Sequence, residues 1–366
     1  MSTQTSRTSP PGAQPVGPAA PELEVDERMR ALEDAADAAL LAPSVHGSQP
    51  WLIVLHRDRL ELRADRTRQL PSLDPSGREL LQSLGAALFN VRVALAARGW
   101  AVETDRLPRP DDPDVAAVVR PVPGAPEPRL PVLADALHLR RTHRAGFLAE
   151  EVPDELLHHL RAAAAAEDGA LVTVRSEERR RLVAELTREA DAVLAGDPGC
   201  RADLARWRAQ GRVPPPAGQV DGSRRRTVDS DSGEDRTFVL LTSRADDPMA
   251  WLRSGEALER VLLELTRLGW AASPLTQALE VPMTRARLRS GATWESHPQM
   301  LLRIGFAEPH PDIRRRHRDD VVSSCTRGRP ARVRDQDGRL TRGHDSTRDR
   351  GAPVPVSDGR GGTTWT

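Results

Sequence analysis

Four short segments carry side chains able to do chemistry. Ala42-Pro43-Ser44-Val45-His46-Gly47-Ser48-Gln49-Pro50-Trp51 ends a helical pattern and opens a strand. Its turn gathers hydroxyl and backbone donors, with the Gln49 amide as both donor and acceptor. Arg140-Arg141-Thr142-His143-Arg144 suits a phosphate or carboxylate, because guanidinium groups bind both in bidentate fashion. Arg314-Arg315-Arg316-His317-Arg318 offers a second such set. Gly269 to Gln277 reads as a proline-containing loop after a buried helix, able to present bare backbone N–H groups around Ser273, Pro274 and Leu275. By residue type alone each segment has a plainer alternative: a solvated helix-to-strand loop, a charged surface loop, the start of a polar tail and an ordinary exit loop.

Composition removes several kinds of chemistry. All 53 basic residues are arginine, so no lysine can form a Schiff base or serve a P-loop. There is no tyrosine. Two cysteines, Cys200 and Cys325, build neither a disulfide framework nor a four-cysteine zinc site. His158-His159 lacks the spacing of a helical zinc site, and no metal is expected. The 53 acidic residues cancel the basic ones, which gives no field favouring nucleic acid. No apolar run approaches the roughly 18 residues of a membrane span. The first 24 residues lack the order of a signal peptide, so a cytoplasmic location is expected.

The elements that must hold these segments follow from periodicity. Helices are expected over 28–41, 76–98, 153–166, 177–195 and 254–268. Strands are expected over 51–56, 60–64, 115–122, 171–175, 237–242 and 300–304. Ser76 and Glu79 form a capping-box pattern, and Gly99 is a helix stop. Residues 1–24 read as a disordered arm and 326–366 as a disordered tail. The polar stretch 211–236 is too long for an ordinary connection and reads as a lid or a disordered insertion. One repeat is visible. GAALFNVRVALAARGWA from Gly85 and GEALERVLLELTRLGWA from Gly255 match at eight of seventeen positions without a gap. That pattern predicts two related halves, 25–135 and 136–325, each with a central helix on a sheet.

Ala-Pro-Ser-x-x-x-x-Gln-Pro-Trp, an Arg-Arg-Thr-x-Arg segment and an Arg-rich C-terminal stretch, in this order, resemble the nitroreductase-like flavoproteins, and most closely their Acg branch. The resemblance covers about 29 to 322. It implies an α+β fold with a mostly antiparallel sheet in each half. In ordinary nitroreductases both motifs occur in each subunit of a homodimer. Here the first half carries only the Pro43–Trp51 motif and the second only Arg140–Arg144. This implies a tandem pseudo-dimer with one FMN per chain, and a monomer or weak homodimer in solution.

The implied function is hydride transfer from NAD(P)H to FMN and on to a nitroaromatic, quinone or similar acceptor. The implied alternative is a flavin-holding protein with little turnover; a decayed site in a binding module is the third reading. Arg140 and Thr142, within the Arg140–Arg141–Thr142 run, are then expected at the ribityl–phosphate arm, with Arg144 near flavin N1 and O2. Arg314, Arg315 and Arg316 would complete the phosphate site. Pro43, Ser44, Val45 and Gln49 belong to the turn covering the ring, and Ser273, Pro274 and Leu275 to the segment giving an N–H to N5. No side chain need act as acid or base, since the flavin does the chemistry. Gly47 stands where the family usually has Asn, removing an amide near the ring.

Overall fold

A computed structural model describes residues 20–143, 147, 151–209, 237–293, 295–307 and 315–325, with four three-residue strands beyond them. Arg144, Arg314 and the expected insertion 211–236 therefore lie outside the described residues. In the first half, α1 (Ala20–Ala39) leads through a turn into the hairpin of β1 (Trp51–Leu55) and β2 (Leu60–Ala64). Then come α2 (Arg78–Ala97), β3 (Ala101–Arg106) and β4 (Val115–Val122). A short α3 (Ala134–Leu139) carries the chain onward. In the second half, α4 (Asp154–Ala165) and β5 (Ala170–Val174) precede a helical excursion, α5 (Glu177–Gly196) and α6 (Pro198–Ala209). β6 (Thr237–Ser243), α7 (Pro248–Arg267) and β7 (Ala271–Leu275) follow. α8 (Gln277–Glu280) and α9 (Pro282–Leu288) lead to β8 (His297–Gly305), and β9 (Val322–Ser324) follows.

Each half thus runs helix, two strands, helix, two strands. The first sheet has the order β3-β4-β2-β1-β9, and the second β7-β8-β6-β5, so corresponding strands occupy corresponding places. All pairings among the first eight strands are antiparallel; β9, from the end of the chain, joins β1 in parallel with Ile53 opposite Val322. The architecture is α+β, with a mostly antiparallel sheet in each half.

The halves meet along α2 and α7, both of 20 residues, with Gly85 and Gly255 at the same position in each. A Cβ on Gly85 would lie 2.0 Å from the Leu252 carbonyl oxygen; one on Gly255 would lie 2.0 Å from that of Gln82. The contact is reciprocal, since Gln82 and Leu252 also stand at the same position in the two helices. Absence of side chains lets the two backbones touch. By length and composition α2 could cross a membrane, with mean hydropathy 1.5, yet 83% of that window is buried here. Leu84, Leu88, Phe89, Val91 and Leu95 are fully enclosed by α1, the first sheet and α7. The apolarity is that of a core helix buried on all sides.

Several expectations change. The capping box at Ser76 and Glu79 does not form. Gly77, left-handed at φ 74°, is the N-cap, and Asp74 reaches over it to accept from the Leu80 N–H at 2.8 Å. α7 starts before residue 254, because Asp247 caps it by accepting from the Ala250 N–H at 2.8 Å. α1 starts at Ala20, inside the segment expected to be an arm. Within 326–366, where composition gives no order, two short antiparallel pairs occur, Arg332–Arg334 with Leu340–Arg342 and Pro355–Ser357 with Thr363–Trp365. The expected loop around Ser273, Pro274 and Leu275 is a strand. Gly269, at φ 78°, turns the chain after α7, and β7 then pairs with β8 from Ala271↔Gly305 to Leu275↔Leu301.

Candidate functional site

The turn between α1 and β1 is bent by three left-handed residues, His46 (φ 47°), Gly47 (φ 69°) and Gln49 (φ 47°). For His46 and Gln49 such a backbone costs on the order of 1 kcal/mol each, so the surroundings must hold it. They do so from within the first half. The Ser44 hydroxyl accepts from the Gln49 N–H at 2.9 Å, and the Val45 N–H donates to Ser83 Oγ on α2 at 3.1 Å. Arg68 Nε donates to the Ser48 carbonyl at 2.6 Å.

Onto this turn converge the two arginine segments. Arg140, 1% exposed at the end of α3, donates from Nη2 to the Leu41 carbonyl at 3.0 Å. Arg315 Nη1 donates to the Ala42 carbonyl at 2.9 Å. The Arg316 N–H donates to Gln49 Oε1 at 3.0 Å, and its guanidinium to the carbonyls of Gln49 at 2.9 Å and Trp51 at 3.0 Å. Pro43, Ser44, Val45 and Gln49 of the first half therefore share one neighbourhood with Arg140, Arg315 and Arg316. Thr142 pairs as an isolated bridge with Ala272 on the free edge of β7, and the His143 N–H donates to the Ala272 carbonyl at 3.0 Å. That places Thr142 beside Ser273. Arg141 instead turns back on its own helix end, donating to the carbonyls of His138 and Arg140.

Sequence reasoning missed Glu259. It is fully buried on α7, with Oε1 3.3 Å from Arg140 Nε. Burial pushes its carboxyl up to about 7, against the pull of Arg140, Arg315 and Asn90. Burial likewise works against the charge on Arg140. The pair has Coulombic contact without good hydrogen-bond geometry: among the described residues, Arg140 Nε and Nη1 are buried with no hydrogen-bond partner. Bare buried polar atoms mark an incomplete site. The available signal was a glutamate within the apolar run of the 255 repeat.

Glu259 makes stability depend on pH. The folded state keeps this proton to about 7, whereas the unfolded chain releases it near the ordinary value of 4.5. The contribution is thus present below about 4.5 and is lost as pH rises through about 7, amounting to roughly 3 kcal/mol. Urea unfolding of the wild type and Glu259→Gln at pH 5 and pH 8 should show a stability difference that shifts in favour of the variant at pH 8. Parallel pH profiles would refute the assignment.

Among the described residues, the second half has no counterpart of the Gln-Pro-Trp turn. Its α4–β5 connection is only Ala166-Glu167-Asp168-Gly169, and a cavity of about 540 Å³ lies beside it, lined in part by Asp168, Gly169, Thr242, Arg253 and Ser254. Near it, buried charges knit the halves together. Arg92 on α2 meets Glu167 at 2.6 Å and Glu256 at 2.8 Å, while Arg260 meets Glu167 and Glu127, each at 2.7 Å.

No family model matches the chain. Among known proteins, "Putative NAD(P)H nitroreductase Rv3131" of Mycobacterium tuberculosis is 33% identical over 310 residues, 78% of this chain and 88% of that protein. The chain belongs to the nitroreductase-like flavoprotein family. A second family member from the same organism, "Putative NAD(P)H nitroreductase acg", is 31% identical over 316 residues, 79% of this chain and 94% of its own length. Solved structures similar to the chain are more distant. A nitroreductase with bound FMN from Bacteroides fragilis is 16% identical, covering 50% of this chain and 93% of its own, with TM-score 0.34. Iodotyrosine deiodinase bound to FMN and 3-iodo-L-tyrosine is 19% identical, covering 50% and 95%, with TM-score 0.38.

Proposed function

We propose that the chain holds one FMN where the 43–49 turn, the Arg140–Thr142 segment and Arg315–Arg316 meet. Through it, NAD(P)H would reduce a small oxidised acceptor such as a nitroaromatic or quinone. The observation that carries this reading is the convergence of arginines from two distant segments on the carbonyl end of α1, with two buried guanidinium nitrogens of Arg140 lacking a hydrogen-bond partner among the described residues. A phosphate dianion fits that donor set in charge and in hydrogen-bonding capacity. When bound, the flavin supplies hydride acceptance and release. Arg140, Arg315 and Arg316 neutralise the phosphate, and the Thr142 hydroxyl is available to the ribityl arm. The turn from Pro43 to Gln49, held by Ser83 and Arg68, covers the ring. Arg144 and Arg314 keep the roles implied by the family pattern, and Arg141 serves the end of its own helix.

The same reading treats the chain as a tandem pseudo-dimer, a monomer or weak dimer in solution. Supporting it are the matching strand orders and the reciprocal glycine contact. The short α4–β5 connection supports a single flavin site, because it has no residues to form the covering turn.

One observation favours a flavin-holding protein with restricted turnover. The α5–α6 excursion lies against the first half beside the turn: the Ser72 N–H donates to Asp203 at 2.8 Å, and Arg68 stacks over Trp207 at 4.9 Å. A cover so placed limits access to the ring. The absorption spectrum and flavin stoichiometry of the purified protein test the site, with one FMN per chain expected. Steady-state oxidation of NADH and NADPH with a panel of nitroaromatics and quinones separates the readings. A fully loaded holoprotein showing no acceptor-dependent oxidation removes turnover and leaves flavin retention.

A further inference from the structure

The 43–49 turn carries a side chain that FMN binding does not use. His46 Nε2 lies 3.4 Å from Glu280 Oε1, linking the turn of the first half to α8 of the second. The histidine side chain is 21% exposed and the glutamate 1%. Glu280 Oε1 also accepts from the Thr276 hydroxyl at 2.6 Å, at the end of the strand that carries Ser273 to Leu275. His46 thus stands between the two segments assigned to the flavin ring, with one edge open to solvent and the other on a buried carboxylate. Its left-handed backbone would be cheapest for glycine. A histidine there is held at a cost, and strain of this kind concentrates at functional positions.

The surrounding charges favour proton storage. From α2, Glu79 faces Glu280 and is pushed far up by burial and by that neighbour's charge, while Arg78 pairs with it at 2.9 Å. Asp74, just before α2, is raised by burial as well. Glu79 and Asp74 thus share the Arg78 guanidinium, and Arg285 on α9 also acts on Glu79.

Resting on the flavin reading above, we propose that His46, backed by Glu280, supplies the proton that accompanies hydride to the acceptor. Reduction of a quinone to hydroquinone consumes one hydride and one proton; reduction of a nitro group to nitroso and water consumes the same. The hydride comes from NAD(P)H by way of the flavin. The proton leaves the His46 imidazolium for the acceptor oxygen, and the neutral ring regains one from solvent. Hydride entry from NAD(P)H requires no such proton, so the two half-reactions separate the roles.

The test uses the FMN-loaded protein and the variants His46→Asn, whose side chain tolerates the left-handed turn, and Glu280→Gln. Flavin stoichiometry and FMN affinity are expected within two-fold of the wild type in both, and so is the rate of flavin bleaching by NAD(P)H. Reoxidation by a quinone is expected to slow about 100-fold in His46→Asn, the lower end of what a positioned acid contributes. It should slow less in Glu280→Gln. As a readout independent of turnover, the charge-transfer absorbance of 4-nitrophenolate on the oxidised holoprotein should require about ten-fold more ligand in His46→Asn. Unchanged reoxidation and phenolate binding overturn the assignment, as do bleaching and reoxidation that fall together with FMN affinity. A wild-type chain that takes up no FMN overturns the flavin reading and this inference with it. A chain that takes up FMN and reoxidises independently of His46 overturns only the inference.

Discussion

Gly255→Ala is expected to destabilise the protein by at least about 3 kcal/mol, the upper range for overpacking a dense interior. The added carbon would sit 2.0 Å from the Gln82 carbonyl oxygen and within 2.8 Å of two further backbone atoms of that residue. A flexible side chain could move aside, but a helix backbone in the middle of the core cannot. The helices must separate, and their flanking side chains lose contact along the whole crossing. Gly85→Ala meets the Leu252 carbonyl in the same way and should cost a similar amount. Because one separation accommodates both carbons, the double variant should lose distinctly less than the sum of the two single losses. Gly196→Ala provides the control: nothing lies within 4 Å of its added carbon, so stability should change by less than about 1 kcal/mol. Urea midpoints for the four variants and the wild type decide the matter. A single variant as stable as the wild type would mean that the helices do not meet backbone to backbone.

That contact explains why the repeat was legible in the sequence. A crossing without side chains demands glycine at one place in each helix, and the flanking Leu and Val positions are fixed by burial. Strands with enclosed faces, such as β4 and β8, were legible for the same reason. β3 was not, because AVETDR lies at a sheet edge and keeps only partly buried residues. β7 was hidden by Ser273 and Pro274; a proline is tolerated there because the strand is at the edge of its sheet. Of the candidate site, the turn and the arginines were legible as an ordered set of motifs, since guanidinium groups and a Gln-Pro-Trp turn are distinctive. The backbone conformations of His46 and Gln49, the pairing of Glu259 with Arg140 and the His46–Glu280 pairing had no local pattern. They arise where segments far apart in the chain are brought together, and residue spacing does not encode that.

Arg140→Ala should weaken FMN binding by one to two orders of magnitude. A hydrogen bond to a charged group contributes roughly 1.5–3 kcal/mol, and each 1.4 kcal/mol is tenfold in affinity. The variant also leaves Glu259 enclosed without its principal cation, so the carboxyl should hold its proton to still higher pH. Folding stability should then suffer little at pH 6, where Glu259 is mostly protonated in either protein, and more at pH 8, where the wild type gains from the ion pair. Adding Glu259→Gln should restore stability at pH 8 without restoring FMN affinity, because it removes the buried charge but provides no guanidinium for the phosphate. Fluorescence titration with FMN and urea unfolding at the two pH values read these effects separately. FMN affinity equal to that of the wild type in Arg140→Ala would place the phosphate elsewhere. Stability lost equally at pH 6 and pH 8 would show that Arg140 acts by packing and by its bond to the Leu41 carbonyl, with Glu259 having no part in it.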